Sequence, residues 1–239
     1  MLNDGTIKAV AFDADDTLWS NEHLFREAEK KVADMLSRFG DFHYISDELY
    51  KTEFKNMEDY GFGAKAYTLS MIENAIKVSD GTVTAEEIGA IIGSGREILH
   101  NPAAPLPGVE ETLSRLKQDG RYFLVLLTKG DLLDQEHKIF RSGLGKYFDH
   151  IEIVSNKSQK EYLVLCNKIG VRPEELLMVG NSFKSDIEPV LQLGGWGIHI
   201  PFEVLWKLEH TEEYDHHRLF KVTSFKEILG ILLPEKLSL

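Results

Sequence analysis

Asp13, Asp15 and Thr17 follow one another at intervals of two, directly after the short apolar run Ala9-Val10-Ala11-Phe12. A strand that buries its flanks and presents two carboxylates at its tip concentrates negative charge in a small volume. Such carboxylates repel each other unless a proton or a cation is part of the arrangement. Donors made only of oxygen suit Mg²⁺, a hard ion that takes one or two carboxylates together with a substrate phosphate. The chemistry this suggests is phosphoryl transfer through a covalent aspartyl phosphate. Asp13 attacks phosphorus, dividing one difficult displacement into two easier ones. Asp15 protonates the leaving oxygen and later activates water.

Three further groups of reactive residues lie downstream: Thr128-Lys129, then Lys157, then Gly180-Asn181-Ser182 with Asp186. Thr128 is placed to hydrogen-bond a phosphoryl oxygen. A lysine in Asn156-Lys157-Ser158-Gln159-Lys160 offsets the combined charge of carboxylate and phosphate. Lys157, nearer the end of the preceding strand, is the better candidate; Lys160, further into the next helix, is the alternative. Asp186 completes the Mg²⁺ site. Asp16 suits a turn better than catalysis, and Thr17 supports the loop or the aspartate beside it.

The elements that must bring these groups together are strands and helices in alternation. Strands are expected at residues 7–13, 122–128, 151–155, 176–180 and 197–200, with a weaker candidate at 220–222. Several are nearly continuous apolar runs, as in parallel strands covered on both faces. Residues 108–120 and 159–170 have helical apolar spacing and end at glycines. The pattern predicts an α/β fold, a Rossmann-like doubly wound parallel sheet, whose ligands bind at the carboxyl edge. Between residues 22 and 98 no buried strand stands out, only helical patterns such as 25–39 and 67–78. Asn101-Pro102-Ala103-Ala104-Pro105-Leu106-Pro107-Gly108 then forms a stiff connector. The expected division is a core of residues 1–20 and 102–239, with a helical insertion of residues 21–101 that could cover the strand tips.

Asp13-Ala14-Asp15-Asp16-Thr17 resembles the first motif of the haloacid dehalogenase-like hydrolase superfamily, and the later groups resemble its other three motifs in the right order. The resemblance spans roughly residues 5–20 and 105–205, and the insertion resembles the C1-type cap of that superfamily. It implies Asp13 as nucleophile and Asp15 as general acid and base. It also implies substrate contacts at Ala14, Thr17, Thr128, Lys129 and Lys157. Mg²⁺ would be held by Asp13, the backbone carbonyl of Asp15, and Asp186. Asn181 stands where these enzymes often have aspartate; its amide oxygen can still hold a metal-bound water or a ligand.

Composition narrows the classes. With 239 residues and a formal net charge of −12, the chain lacks the basic footprint of nucleic-acid binding. No apolar run suggests a membrane span, the first strand comes too early for a signal peptide, and the expected location is cytoplasmic. Cys166, the single cysteine, sits on the apolar side of a predicted helix and is expected to be a buried structural thiol. His216-His217 belongs to a solvated loop. Trp19 could line the pocket mouth or the core, and Tyr60-Gly61-Phe62-Gly63 could be a specificity loop or an inter-helix turn. The leading expectation is a Mg²⁺-dependent phosphatase acting on a small phosphomonoester. The alternatives are a phosphomutase, a haloacid dehalogenase, and a receiver-like phospho-aspartate switch.

Overall fold

The computed structural model describes residues 6–204 and 206–233. Two compact units are present, one of residues 1–20, 103–129 and 139–239, the other of residues 21–102 and 130–138.

The first unit is built on a sheet of six parallel strands among the described residues: β1 (Ala9–Phe12), β2 (Phe123–Lys129), β3 (His150–Val154), β4 (Leu176–Gly180), β5 (Trp196–His199) and β6 (Leu219–Lys221). Their order is β3-β2-β1-β4-β5-β6, which puts β1 in the middle. Its neighbours register Phe12 against Leu126 on one side and Val179 on the other. Past this level β4 runs one residue further and β2 three, so the residues after β1 and β4 and the last residues of β2 emerge at one edge. Crossover helices are α5 (Val109–Asp119), α6 (Leu132–Ser142), α7 (Gln159–Ile169) and α8 (Glu188–Gln192), with α9 (Glu227–Leu232) near the end.

Alternation along β1 separates two cores. Val10 and Phe12 join Leu113, Leu126, Val179 and Ile228 on one face. Ala9 and Ala11 join Val125, Tyr162, Leu165 and Met178 on the other. Complete burial of a side chain such as Phe12 contributes about 1.5–3 kcal/mol, and both faces are dry because parallel strands carry helices on each side. Cys166 lies in the second core, where burial pushes its thiol up to about 11, in keeping with a structural role.

The second unit holds α1 (Glu22–Met35), α2 (Phe42–Tyr60), α3 (Ala64–Val78) and α4 (Ala85–Leu99) around its own core of Val32, Leu36, Ile45, Met71 and Ile91. Asp41 caps α2 through Tyr44 N–H at 2.9 Å, and Thr84 with Glu87 forms a capping box that starts α4. Tyr60-Gly61-Phe62-Gly63 is the turn from α2 to α3, with Gly61 and Gly63 at φ +68° and +106°. No helix among the described residues is long and apolar enough to cross a membrane.

Candidate active site

Asp13 continues β1 by one hydrogen bond, its N–H donating to Val179 carbonyl at 2.9 Å. The chain then turns sharply. Ala14 is buried, and its carbonyl accepts the N–H groups of Thr17 at 3.2 Å and Leu18 at 2.7 Å. The turn needs a left-handed residue, and Asp16 supplies it at φ +62°, a conformation aspartate tolerates better than most side chains. The reversal returns Thr17 to Asp13, where its hydroxyl donates to Oδ2 at 2.9 Å. The same hydroxyl accepts the N–H of Asn181 at 3.1 Å and lies 3.2 Å from its amide oxygen. Thr17 therefore ties the β1 loop to the β4 loop.

Lys157 is the hub. Its ammonium donates to Asp13 Oδ1 and, at 2.8 Å, to Asp186 Oδ1. All three side chains are buried. Local sequence explains the choice between the two lysines. Ser158 caps α7, and Glu161 accepts Ser158 N–H at 3.0 Å, closing a Ser-x-x-Glu capping box. Lys157 precedes the cap and turns inward, whereas Lys160 lies in the first turn and is exposed.

Burial raises Asp13 from its ordinary value to about 7; Lys157 opposes the shift, while Asp186 and Asp15 add to it. Burial alone would lower Lys157, but Asp13 and Asp186 outweigh it and push the ammonium up. Two carboxylates thus share one cation, and the group as a whole calls for more positive charge.

Asp186 sits in a single π turn, Phe183–Ile187, between β4 and α8. Such turns insert one extra residue and recur at functional sites. Ser182 N–H donates to Asp186 Oδ2 at 3.0 Å, folding the carboxylate back onto the strand end. A Cβ at Gly180 would collide with that carboxylate, so only glycine allows the approach. From the helix side, Tyr162 hydroxyl lies 3.0 Å from Ser185 carbonyl and 3.2 Å from Asp186 carbonyl. One helix, α7, therefore follows the lysine and braces the aspartate.

The remaining expected residues are placed less uniformly. Thr128, next to last in β2, is buried, and its hydroxyl has no hydrogen-bond partner among the described residues. Asp15 is partly buried, and its carboxylate accepts from Trp19 indole N–H at 2.7 Å. Trp19 is itself fully buried, so it belongs to the core and to the site at once.

Lys129, expected among the substrate contacts, has its ammonium on Glu209 and on Ser185 hydroxyl at 3.0 Å. Glu209 also accepts from Ser182 hydroxyl, and from Ser185 hydroxyl at 2.6 Å. Glu209, Ser185 and Tyr162 are neighbours of these side chains that sequence reasoning missed, whereas Ser182 fell within the Gly180-Asn181-Ser182 group. The signal for Tyr162 was an aromatic hydroxyl on an otherwise apolar helix face; Glu209 offered none beyond one acid among Trp206 and Leu208.

Burial alone would raise Glu209, yet Lys129 and the two serine hydroxyls pull it down to about 2 from the usual 4.5. A carboxylate held low stabilises the fold above its unfolded value and loses that contribution as pH falls through the folded value. The loss window here runs from about pH 4.5 down to about 2 and amounts to roughly 3 kcal/mol. Urea unfolding at stepped pH should show this loss in the wild type and not in Glu209→Gln. Parallel curves for the two proteins would remove Glu209 as the acid-sensitive group.

Among the described residues no three metal-ligating side chains gather into a ready cage. The pair that converges, Asp13 and Asp186, offers only oxygen, is buried, and carries more negative charge than Lys157 balances. That donor set fits a hard divalent cation with incomplete protein coordination, the usual condition of Mg²⁺ beside a phosphate.

Fold and site together define an α/β enzyme with a buried carboxylate, Asp13, at the carboxyl end of a central parallel strand. The chain belongs to the haloacid dehalogenase-like hydrolases, whose family model matches residues 7–194. A haloacid dehalogenase-like family hydrolase from Xanthomonas campestris shares 37% identity over 97% of this chain and 93% of that one, with a TM-score of 0.86. A glyceraldehyde 3-phosphate phosphatase of Pyrococcus furiosus is 27% identical, over 96% of this chain and 94% of the relative. The N-acylneuraminate-9-phosphatase of Homo sapiens is 28% identical over 79% of each chain.

Proposed function

We propose that the protein is a Mg²⁺-dependent phosphatase that hydrolyses a small phosphomonoester through an aspartyl phosphate on Asp13. The observation that carries this reading is the second carboxylate, Asp15, pinned by Trp19 two residues from a buried Asp13. A leaving alkoxide needs a proton, whereas an expelled halide does not. A carboxyl group fixed beside the nucleophile therefore favours ester cleavage over carbon–halogen cleavage.

In the first step an oxygen of Asp13 bonds to phosphorus as the ester O–P bond breaks, and Asp15 gives its proton to the departing oxygen. Asp15, now a carboxylate, takes a proton from water as that water attacks phosphorus. The acyl phosphate O–P bond breaks, releasing inorganic phosphate and restoring Asp13. Thr128, with its hydroxyl unengaged by protein, donates to a phosphoryl oxygen, and Lys157 balances charge on the nucleophile. Asp13, Asp186 and the main-chain carbonyl of Asp15 would hold Mg²⁺, with Asn181 near its waters. Bound there, the ion supplies positive charge against the phosphoryl oxygens.

The two named phosphatases among the relatives put sugar and aldehyde phosphates first in a substrate panel. Hydrolysis of an aryl phosphate should require Mg²⁺ and stop on its chelation. Halide release from a 2-haloacid without metal, and without phosphate release from any ester, would replace this reading by the dehalogenase. In Asp15→Asn, steady turnover should fall by about 10²-fold or more after one equivalent of phenol per site appears. An aryl leaving group needs little protonation, so the block falls on the water step. Undiminished turnover would take Asp15 out of the acid–base role.

A further inference from the structure

Lys129 is the second lysine at this strand edge, and its place differs from that of Lys157. Lys157 bridges the two reactive carboxylates. Lys129, mostly buried at the end of β2, reaches Ser185, the residue immediately before Asp186. An ammonium at that position is able to pair with Asp186 and compete with a divalent ion for it. Glu209 stands against this outcome. It comes from a short helical turn, Lys207–Glu209, far along the chain beyond β5, and it is buried. One carboxylate oxygen takes Lys129, and the other takes the hydroxyls of Ser182 and Ser185. Ser182 caps the π turn and Ser185 lies within it, and Ser182 hydroxyl also accepts Ser185 N–H at 3.0 Å. Leu208 adds a backbone tie, its carbonyl accepting from Lys184 at 2.8 Å.

We propose that Glu209 is a positioning residue that sequesters Lys129 from Asp186 and locks the Ser182–Asp186 turn in the shape that presents Asp186 to the metal. Its part in metal binding rests on the phosphatase reading; its part in fixing the turn does not.

The test uses Glu209→Gln, which keeps size while removing the charge and one of the two acceptor oxygens, with Glu209→Asp as conservative rescue. Hydrogen exchange followed by mass spectrometry should show faster exchange across residues 181–187 in Glu209→Gln, and wild-type protection elsewhere. Mg²⁺ affinity, measured by titration calorimetry without substrate, should weaken by about tenfold, and kcat at saturating Mg²⁺ should stay within about threefold. Adding Lys129→Met to Glu209→Gln removes the competing ammonium. It should bring Mg²⁺ affinity back to within about threefold of wild type, a non-additive pair. Glu209→Asp should lie nearer wild type than Glu209→Gln on both measures.

Unchanged exchange at residues 181–187 would overturn the locking role. A double variant that binds Mg²⁺ no more tightly than Glu209→Gln alone would overturn the sequestering role. Wild-type protein that neither binds Mg²⁺ nor hydrolyses phosphate esters would instead sink the phosphatase reading, while the exchange experiment still decides whether Glu209 holds the turn.

Discussion

Asp13→Asn should lose phosphate-ester hydrolysis by at least about 10⁴-fold, and without metal it should be no less stable than the wild type. The first half follows from covalent chemistry. An amide oxygen cannot form the acyl phosphate, and Asp15, anchored to Trp19, is not placed as a substitute. The second half follows from burial. Asp13 is raised to about 7 because its ionised form is poorly solvated, and Lys157 must serve Asp186 as well. Asparagine removes the net negative charge of the trio and retains one oxygen for Lys157, while its NH₂ group meets Thr17 hydroxyl, which can turn its proton to the amide oxygen of Asn181 at 3.2 Å. Sites that gather like charge for function commonly gain stability when that charge is removed.

Mg²⁺ should reverse the order. At a hundredfold excess over its dissociation constant, the ion stabilises a protein that binds it only when folded by about 2.7 kcal/mol. The variant, with one ligand charge gone, should gain much less. Melting curves with and without Mg²⁺ therefore should cross. A metal-free variant several degrees below wild type would show that Asp13 holds the fold together, and residual turnover near wild type would exclude it as nucleophile.

How far such a site could be foreseen depends on where its physical constraint lies. The strands were legible because a parallel strand covered on both faces must be apolar almost throughout, as Ala9–Phe12 and Leu176–Gly180 are. Even the short β6, Leu219–Lys221, fell close to its expected place. The strand order was legible only as a class, since no local pattern encodes which edges pair. In the helical unit, α2 and α4 were not singled out. Helix α2 exposes Phe42, Tyr44 and Phe54, which smears its apolar stripe. Helix α4 carries Gly89, Gly93 and Gly95, and the last is required because a Cβ there would meet Thr68 of α3. Residues 130–138 lie with the helical unit although the sequence suggested an insertion of residues 21–101 alone.

For the site, Asp13 and Asp15 stood out because they follow a buried strand directly, and Asp186 because it comes after the Gly180-Asn181-Ser182 loop; the fold brings Asp13 and Asp186 together on Lys157. Lys157 could have been separated from Lys160 by the Ser158–Glu161 capping box alone. Glu209 could not be found that way. Its partners lie in β2 and the π turn, and only the folded chain brings them together.

Lys157→Met is the harsher counterpart of Asp13→Asn. Methionine fills most of the same space but leaves Asp13 and Asp186 facing each other in a buried site without their shared cation. Removing one partner of a buried charged pair costs about 3–5 kcal/mol, because the remaining charge has neither water nor a counterion. Here the uncompensated charge is doubled, so urea unfolding should place the loss at that level or above unless one carboxylate takes up a proton. Such uptake makes the loss pH-dependent: severe at pH 8, milder at pH 5, where protonation relieves the repulsion. Mg²⁺ should rescue stability more in this variant than in the wild type, since the ion then provides the only cation between the two carboxylates. Turnover should still fall by about 10³-fold at saturating Mg²⁺, because phosphate binding adds negative charge that Lys157 no longer balances. A variant with wild-type stability in the absence of metal would mean that Asp13 and Asp186 do not depend on Lys157 for compensation. Full turnover would mean that Lys157 stands beside the reaction and takes no part in it.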